Sequence, residues 1–369
     1  MASTRSSASR SRERTLSAVS HQATDRVPFD RVGSTESSEV ARIVESLDLP
    51  SDLCSDYLEG DFEYLEFGSR EERERFRDYL PDLPAEASVS DWGVGSIPLK
   101  TAEGFHAGHK DFRPLARVES AAELKSYPFP DFTEPWRHRD LEEKVRVAKQ
   151  RGYVVVGQMS QTILETAYCM RGIERLFVDF HERPDYVEML FARIAERRRF
   201  QARRFAEAGV DVLRIGDDIA TQQSLLVGPM LYRAQIKPFH ASVVAAARSV
   251  NPSIHVLYHS DGNLTALLPD LIEVGVTAIN PVQPECMDLM EIKREYGGDL
   301  TLWGCCPVQS VYAFGSRAHV LNHVRLLKEQ CSKEGLSAGG GLVVQFYNMI
   351  LTPKVKENLA FFFDAFRGN

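Results

Sequence analysis

Along the C-terminal two-thirds of the chain, short apolar runs alternate with longer segments whose apolar residues recur three and four positions apart. The runs occupy 153–156, 210–215, 253–258, 277–280, 300–303 and 341–344, and each breaks into a turn bearing Gly, Pro or polar residues. The segments of helical period are 184–208, 229–250, 264–275, 287–296 and 317–334, and 354–366 closes the chain. Near-continuous apolar runs mark strands buried on both faces, and the 3.6 period marks helices packed on them. Six successive β–α units without a nucleotide-binding glycine fingerprint predict an α/β fold, a single (β/α)8 TIM barrel in preference to a doubly wound sheet.

Two strands are then owed by the first 150 residues. Asp25-Arg26-Val27-Pro28-Phe29-Asp30 is one candidate, with Pro28 restricting it to a strand start or edge. Residues 61–135 mix Pro, Gly, aromatic and charged residues without a clean period and are expected to be an insertion of short strands or hairpins shaping one side of the pocket. Residues 1–12, rich in Ser and Arg, are expected to be a disordered leader, and 13–369 to be the barrel domain.

Composition narrows the function. With 369 residues, 43% apolar and 26% charged, the chain reads as one large globular domain. A net charge of −8 speaks against nucleic acid as the main partner. The one basic run, Arg193, Arg197, Arg198, Arg199, Arg203 and Arg204, shares its helix with Glu196 and Glu207 and is expected to be a solvated face. Six cysteines without paired spacing imply a reducing, cytoplasmic setting. No apolar run reaches membrane-spanning length, so no membrane partner is expected.

In barrel enzymes the chemistry sits on the loops that follow the strands. The candidates are therefore Gln158, Asp217, Asp218, His259, Asp261, Asn280, Gln283, Cys305, Cys306, Gln345, Tyr347 and Asn348. His259 and Asp261, two apart on an extended segment, point to one side. With Cys305 or Cys306 they could complete a mixed zinc site. A metal-free acid/base or substrate-binding pair is the alternative, and a satisfied imidazole beside a helix-capping aspartate is the structural one. Asp217 and Asp218 can divide into one carboxylate facing the cavity, as a proton carrier, and one capping the next helix. Gln158, Asn280, Gln283, Gln345, Tyr347 and Asn348 are expected to orient the substrate.

These residues, taken in order, resemble the uroporphyrinogen decarboxylase-like (URO-D) superfamily, which also holds corrinoid-linked methyltransferases. The likeness runs from Arg12-Glu13-Arg14-Thr15-Leu16 through Asp25 to Asp30, Gly172-Ile173-Glu174-Arg175-Leu176, Gly216-Asp217-Asp218, Lys237-Pro238-Phe239, His259-Ser260-Asp261-Gly262, Asn280-Pro281-Val282-Gln283-Pro284 and Glu357-Asn358-Leu359. It implies the same barrel. The arginine-bearing R-Q-A-G-R segment of the decarboxylases is replaced by Val32-Gly33-Ser34-Thr35-Glu36, and their late G-H-G turn by Gln345-Phe346-Tyr347-Asn348, so a porphyrin substrate is poorly supported. The zinc methyltransferases carry H-x-C plus a late cysteine; here the first cysteine position is Asp261. The resemblance implies methyl transfer on a small methylated or methyl-accepting compound and a site role for His259 and Asp261, with the late cysteine position falling among Gln345 to Asn348; zinc at His259, Asp261 and Cys305 or Cys306 is the expectation that joins this to the strand-end reading. Corrinoid would come on a separate protein, because no D-x-H-x-x-G segment is present. A metal-independent decarboxylase and a non-catalytic ligand- or corrinoid-protein-binding subunit are the alternatives. A homodimer is left open.

Overall fold

The computed structural model describes residues 2–24, 26–30, 60–100, 106–331, 340–347 and 352–367. Seven parallel strands form the main sheet, in the order β1 (Phe62–Leu65), β5 (Val154–Gln158), β6 (Val212–Gly216), β7 (His255–His259), β8 (Ala278–Val282), β9 (Thr301–Cys305) and β10 (Leu342–Gln345). The last six are the apolar runs of the sequence. Helices fall where the 3.6 period places them, among them Pro184–Ala208, Leu289–Tyr296, Arg317–Cys331 and Pro353–Arg367. Pro184 opens its helix at a position where a missing N–H costs nothing, and Gly209 ends it in the left-handed region at φ 84°.

The candidate strand 25–30 is reduced to an isolated bridge between Phe29 and Val344. Val344 N donates to Pro28 O at 3.0 Å and Asp30 N to Val344 O at 2.8 Å, while Asp61 N, just before β1, donates to Phe29 O at 2.7 Å. Both edges of the curled sheet are therefore tied to this short segment. Pro28 has no N–H to give, which limits the ladder here.

Residues 61–135 contain more than an insertion, since β1 belongs to the main sheet. The remainder includes an antiparallel sheet of β2 (Ser88–Val89), β3 (Gly95–Lys100) and β4 (His106–Phe112). The leader also differs from expectation, because the helix Ala2–Val19 runs through it. Neither Gly nor Pro interrupts that stretch, and Arg12 anchors it, donating to Asp211 Oδ2 and Oδ1 at 2.6 Å each and to Tyr153 O at 2.8 Å.

Two apolar layers follow from strand alternation. One face of the strands packs against the helices in the larger core. The other gathers Val19, Phe62, Val154, Val156, Val212, Leu257, Ala278, Trp303 and Val343 inside the curl. Val19 comes from the N-terminal helix, whose end is held by Gly341 N donating to Ala18 O at 2.7 Å. That helix closes one end of the interior. The opposite end, where the strands terminate, is the mouth.

On the outer side, Pro238 lacks an N–H and its ring would meet the Ala234 carbonyl in a regular helix. The turn before it, Tyr232–Ile236, widens to a π-helix.

Candidate active site

At the mouth the interior-facing positions become polar. Arg214 lies two residues beyond Val212 on β6 and therefore on the same face; it is 7% exposed and donates to Gln158 Oε1 at 2.7 Å. Gln158 in turn donates to Glu66. His259, two beyond Leu257, has Nδ1 2.8 Å from Asn280 Oδ1 and Nε2 3.3 Å from the Tyr347 hydroxyl. Asn280 donates to Gln345 Oε1 at 2.8 Å, and Gln345 to Asp30 Oδ2 at 2.9 Å. Trp303 Nε1 donates to the same oxygen at 2.9 Å, and the Tyr64 hydroxyl donates to it as well. Residues from six strands and the bridging segment thus form one polar tier over the apolar one, with the Trp303 N–H reaching it from below.

Burial, reinforced by the Arg214 charge, lowers the His259 pKa to about 3, so the imidazole is neutral. Burial raises the Tyr347 phenol, and Arg214 beside it works the other way. Asp218 completes the group. Its Oδ1 accepts from Asp261 N at 2.9 Å, and its carboxyl is raised by burial against that hydrogen bond. Glu165 Oε2 accepts from Asp218 N at 3.1 Å, and burial with the charges of Asp218 and Asp217 pushes its pKa up to about 8. At neutral pH this acid pair retains a proton.

Sequence reasoning missed Arg214, Glu165 and Asp30. Arg214 was visible as a cation inside an apolar strand, at Val212 plus two. Asp30 ends a candidate strand, the position already used to choose the other residues. Glu165 had no such marker, since it follows its strand at the start of the helix Leu164–Arg171.

Other expected residues are engaged elsewhere. Asp217 is fully buried and accepts from the amides of Ile163, Leu164 and Glu165 at 2.9, 3.0 and 3.1 Å and contacts His240 Nε2 at 2.7 Å. It caps the helix Leu164–Arg171 from the neighbouring strand end, where the first amides need acceptors, and has no face left for a substrate. Gln283 braces the turn after β7, accepting from Gly262 N at 2.8 Å and reaching Asp261 Oδ1 at 3.5 Å. Asn348 lies outside the described residues. The basic run is not uniformly solvated either. Arg198 is 5% exposed beneath the turn after β5, donating to the carbonyls of Ser160 and Gln161 at 3.0 and 2.8 Å.

The zinc donors are not brought together. Among the described residues no group of three or more His, Cys, Asp or Glu side chains could hold a metal ion. Both His259 nitrogens face hydrogen-bond partners. Cys305 and Cys306 are buried in the outer apolar core. Burial, with Cys305 and Glu285 nearby, pushes the Cys306 thiol well above its ordinary range. The set does not fit zinc.

Beside the mouth, the antiparallel sheet walls a cleft of about 390 Å³ whose lining includes Trp92, Val94, Asp111, Gln161 and Cys169. Gln161 also hydrogen-bonds Glu165, so the cleft and the mouth share a boundary.

A curled parallel sheet of seven strands flanked by helices, with a polar tier at the strand ends, defines an α/β fold of the TIM-barrel-like class. The family description "Uroporphyrinogen decarboxylase (URO-D)" matches residues 116–368, and the chain belongs to that family. No curated protein sequence matches it. Among solved structures, a methyltransferase from Methanosarcina mazei superposes with a TM-score of 0.55 at 16% identity, over 96% of this chain and 98% of its own. A psychrophilic glycoside hydrolase family 10 endo-beta-1,4-xylanase aligns at 0.36 and 11% identity, over 62% and 82%, and contributes nothing further. Among the described residues no helix is long and apolar enough to cross a membrane.

Proposed function

We propose that this URO-D family member binds a small carboxylate-bearing compound in the mouth and acts on it by metal-independent proton chemistry, with decarboxylation as the best-fitting reaction. The observation that carries this is Arg214, a nearly buried guanidinium beside an acid pair that retains a proton. Arginine matches a carboxylate in shape and charge. Loss of CO2 leaves an electron pair on carbon that must take up a proton, and Glu165 with Asp218 is a local source. Tyr347 orients the bound compound. In this reading residues 27–30 act as the eighth stave of a (β/α)8 barrel.

The test is a panel of small carboxylates labelled with 13C at the carboxyl carbon, followed for labelled CO2 and for deuterium uptake from heavy water. Arg214→Met is expected to weaken binding of an active carboxylate about 100-fold, as for loss of one partner of a buried charge pair. Failure of every carboxylate to bind, or unchanged binding in Arg214→Met, overturns the proposal.

Methyl transfer is the second reading, favoured by the end-to-end likeness to the Methanosarcina mazei methyltransferase. Arg214 would then hold an acid group of the methylated compound, and a separate corrinoid protein would carry the methyl group. Methylation of added cob(I)alamin without release of labelled CO2 would select this reading.

A further inference from the structure

The polar tier is a connected series whose direction is fixed from one end. Trp303 Nε1–H can only donate, so Asp30 Oδ2, 2.9 Å away, is an acceptor. Gln345 faces that same oxygen at 2.9 Å and must turn its NH2 group toward it. Its Oε1 is thereby directed at Asn280, which answers with its own NH2 at 2.8 Å. The Asn280 oxygen is left facing His259 Nδ1 at 2.8 Å, and only a protonated Nδ1 can meet it. The proton of the neutral ring is then spent. Nε2 carries the lone pair, and the Tyr347 hydroxyl, 3.3 Å away, donates to it.

Each amide has two orientations, and each is decided by its neighbour. Reversing any one would set two oxygens or two NH2 groups face to face in a buried setting, where an unpaired polar group costs about 1–3 kcal/mol. Asp30, Asn280 and Gln345 are all at or below 5% exposure, which keeps water from repairing such a mismatch.

We propose that Asp30 is a remote positioning residue. Through Gln345 and Asn280 it selects the Nδ1–H tautomer of His259 and so aims the Tyr347 hydroxyl beside Arg214. Only the bearing of this orientation on substrate rests on the function proposed above; the tautomer follows from the hydrogen-bond series alone.

The test is 15N NMR of histidine-labelled full-length protein near pH 7, with the His259 signals assigned by their loss in His259→Gln. Wild type is expected to show a proton-bearing Nδ1 and a bare Nε2. In Asp30→Leu the series loses its anchor, and the Nε2–H form should rise from a small minority to about half. In Asp30→Leu/Asn280→Asp, a carboxylate placed directly against Nδ1 should restore the wild-type pattern. Wild-type His259 in the Nε2–H form overturns the proposal whether or not any variant folds, as does an unchanged tautomer in folded Asp30→Leu. Absence of carboxylate binding to wild type would instead overturn the proposed function and leave the tautomer result standing.

Discussion

The inside of the curled sheet holds two tiers built from the same strands, two residues apart. The lower contains Val156, Val212, Leu257, Ala278, Trp303 and Val343, and the upper contains Gln158, Arg214, His259, Asn280 and Gln345. Backbone geometry gives them the same direction; the lower is buried throughout, while in the upper Gln158 and His259 are half-buried. What differs is what burial does to each. Below, removal from water is itself the stabilising term. Above, it is a cost that is offset only because nearly every donor meets an acceptor. The lower tier should tolerate changes of pH and fail on loss of volume; the upper should respond the other way.

The largest expected effect separates Asp217 from Asp218. Asp217→Ala strands three helix amides and His240 in a fully buried site and should cost about 3–5 kcal/mol in denaturant unfolding. Asp218→Asn should leave unfolding nearly unchanged and lower turnover. Comparable instability in both would break the distinction between cap and mouth. Next, Leu257→Ala should cost about 3 kcal/mol, equally at pH 5 and pH 8, because it removes volume from the dry tier.

The upper tier should reveal itself through pH. His259 falls from 6.5 to about 3 on folding, so the unfolded chain binds more protons across that window, and stability should drop as pH falls from about 6.5 toward 3. His259→Gln should flatten that slope in urea titrations at stepped pH. Glu165 has the opposite sign. Its pKa rises from 4.5 to about 8, the folded chain holds the extra proton, and stability should decline as pH climbs between those values. Glu165→Gln should remove the decline, the smallest of these effects. A slope unaltered by either variant would place the titrating groups outside the mouth.

Much of this was legible in the sequence because parallel strands buried on both faces leave a strong compositional trace. The six runs after residue 150 are clear for that reason. The pieces nearer the N-terminus are not. Phe62–Leu65 contains Glu63 and Tyr64 and lies within an aperiodic stretch, and residues 27–30 contribute three backbone–backbone hydrogen bonds instead of a ladder. The candidate site was half legible by the same logic. Choosing residues at strand ends found Gln158, His259, Asn280 and Gln345, but it could not distinguish Asp217 from its neighbour. Adjacent residues point in opposite directions, and only the location of the helix Leu164–Arg171 decides which carboxylate is consumed. The cysteines were misleading because spacing records which side chains can face a cavity, while Cys305 leaves its strand with φ 62° and both thiols pack into the outer core.

Among the described residues, the N-terminal helix, whose Val19 sits among the interior valines, gives the curled sheet the plumbing of a vessel with one neck. With that end stoppered, a compound bound beside Arg214, as the proposed function has it, would leave by the passage through which the next molecule must arrive. Departure and arrival cannot overlap. Accumulated product should therefore compete with substrate at the doorway, and the pace of clearing the neck sets an upper bound on throughput.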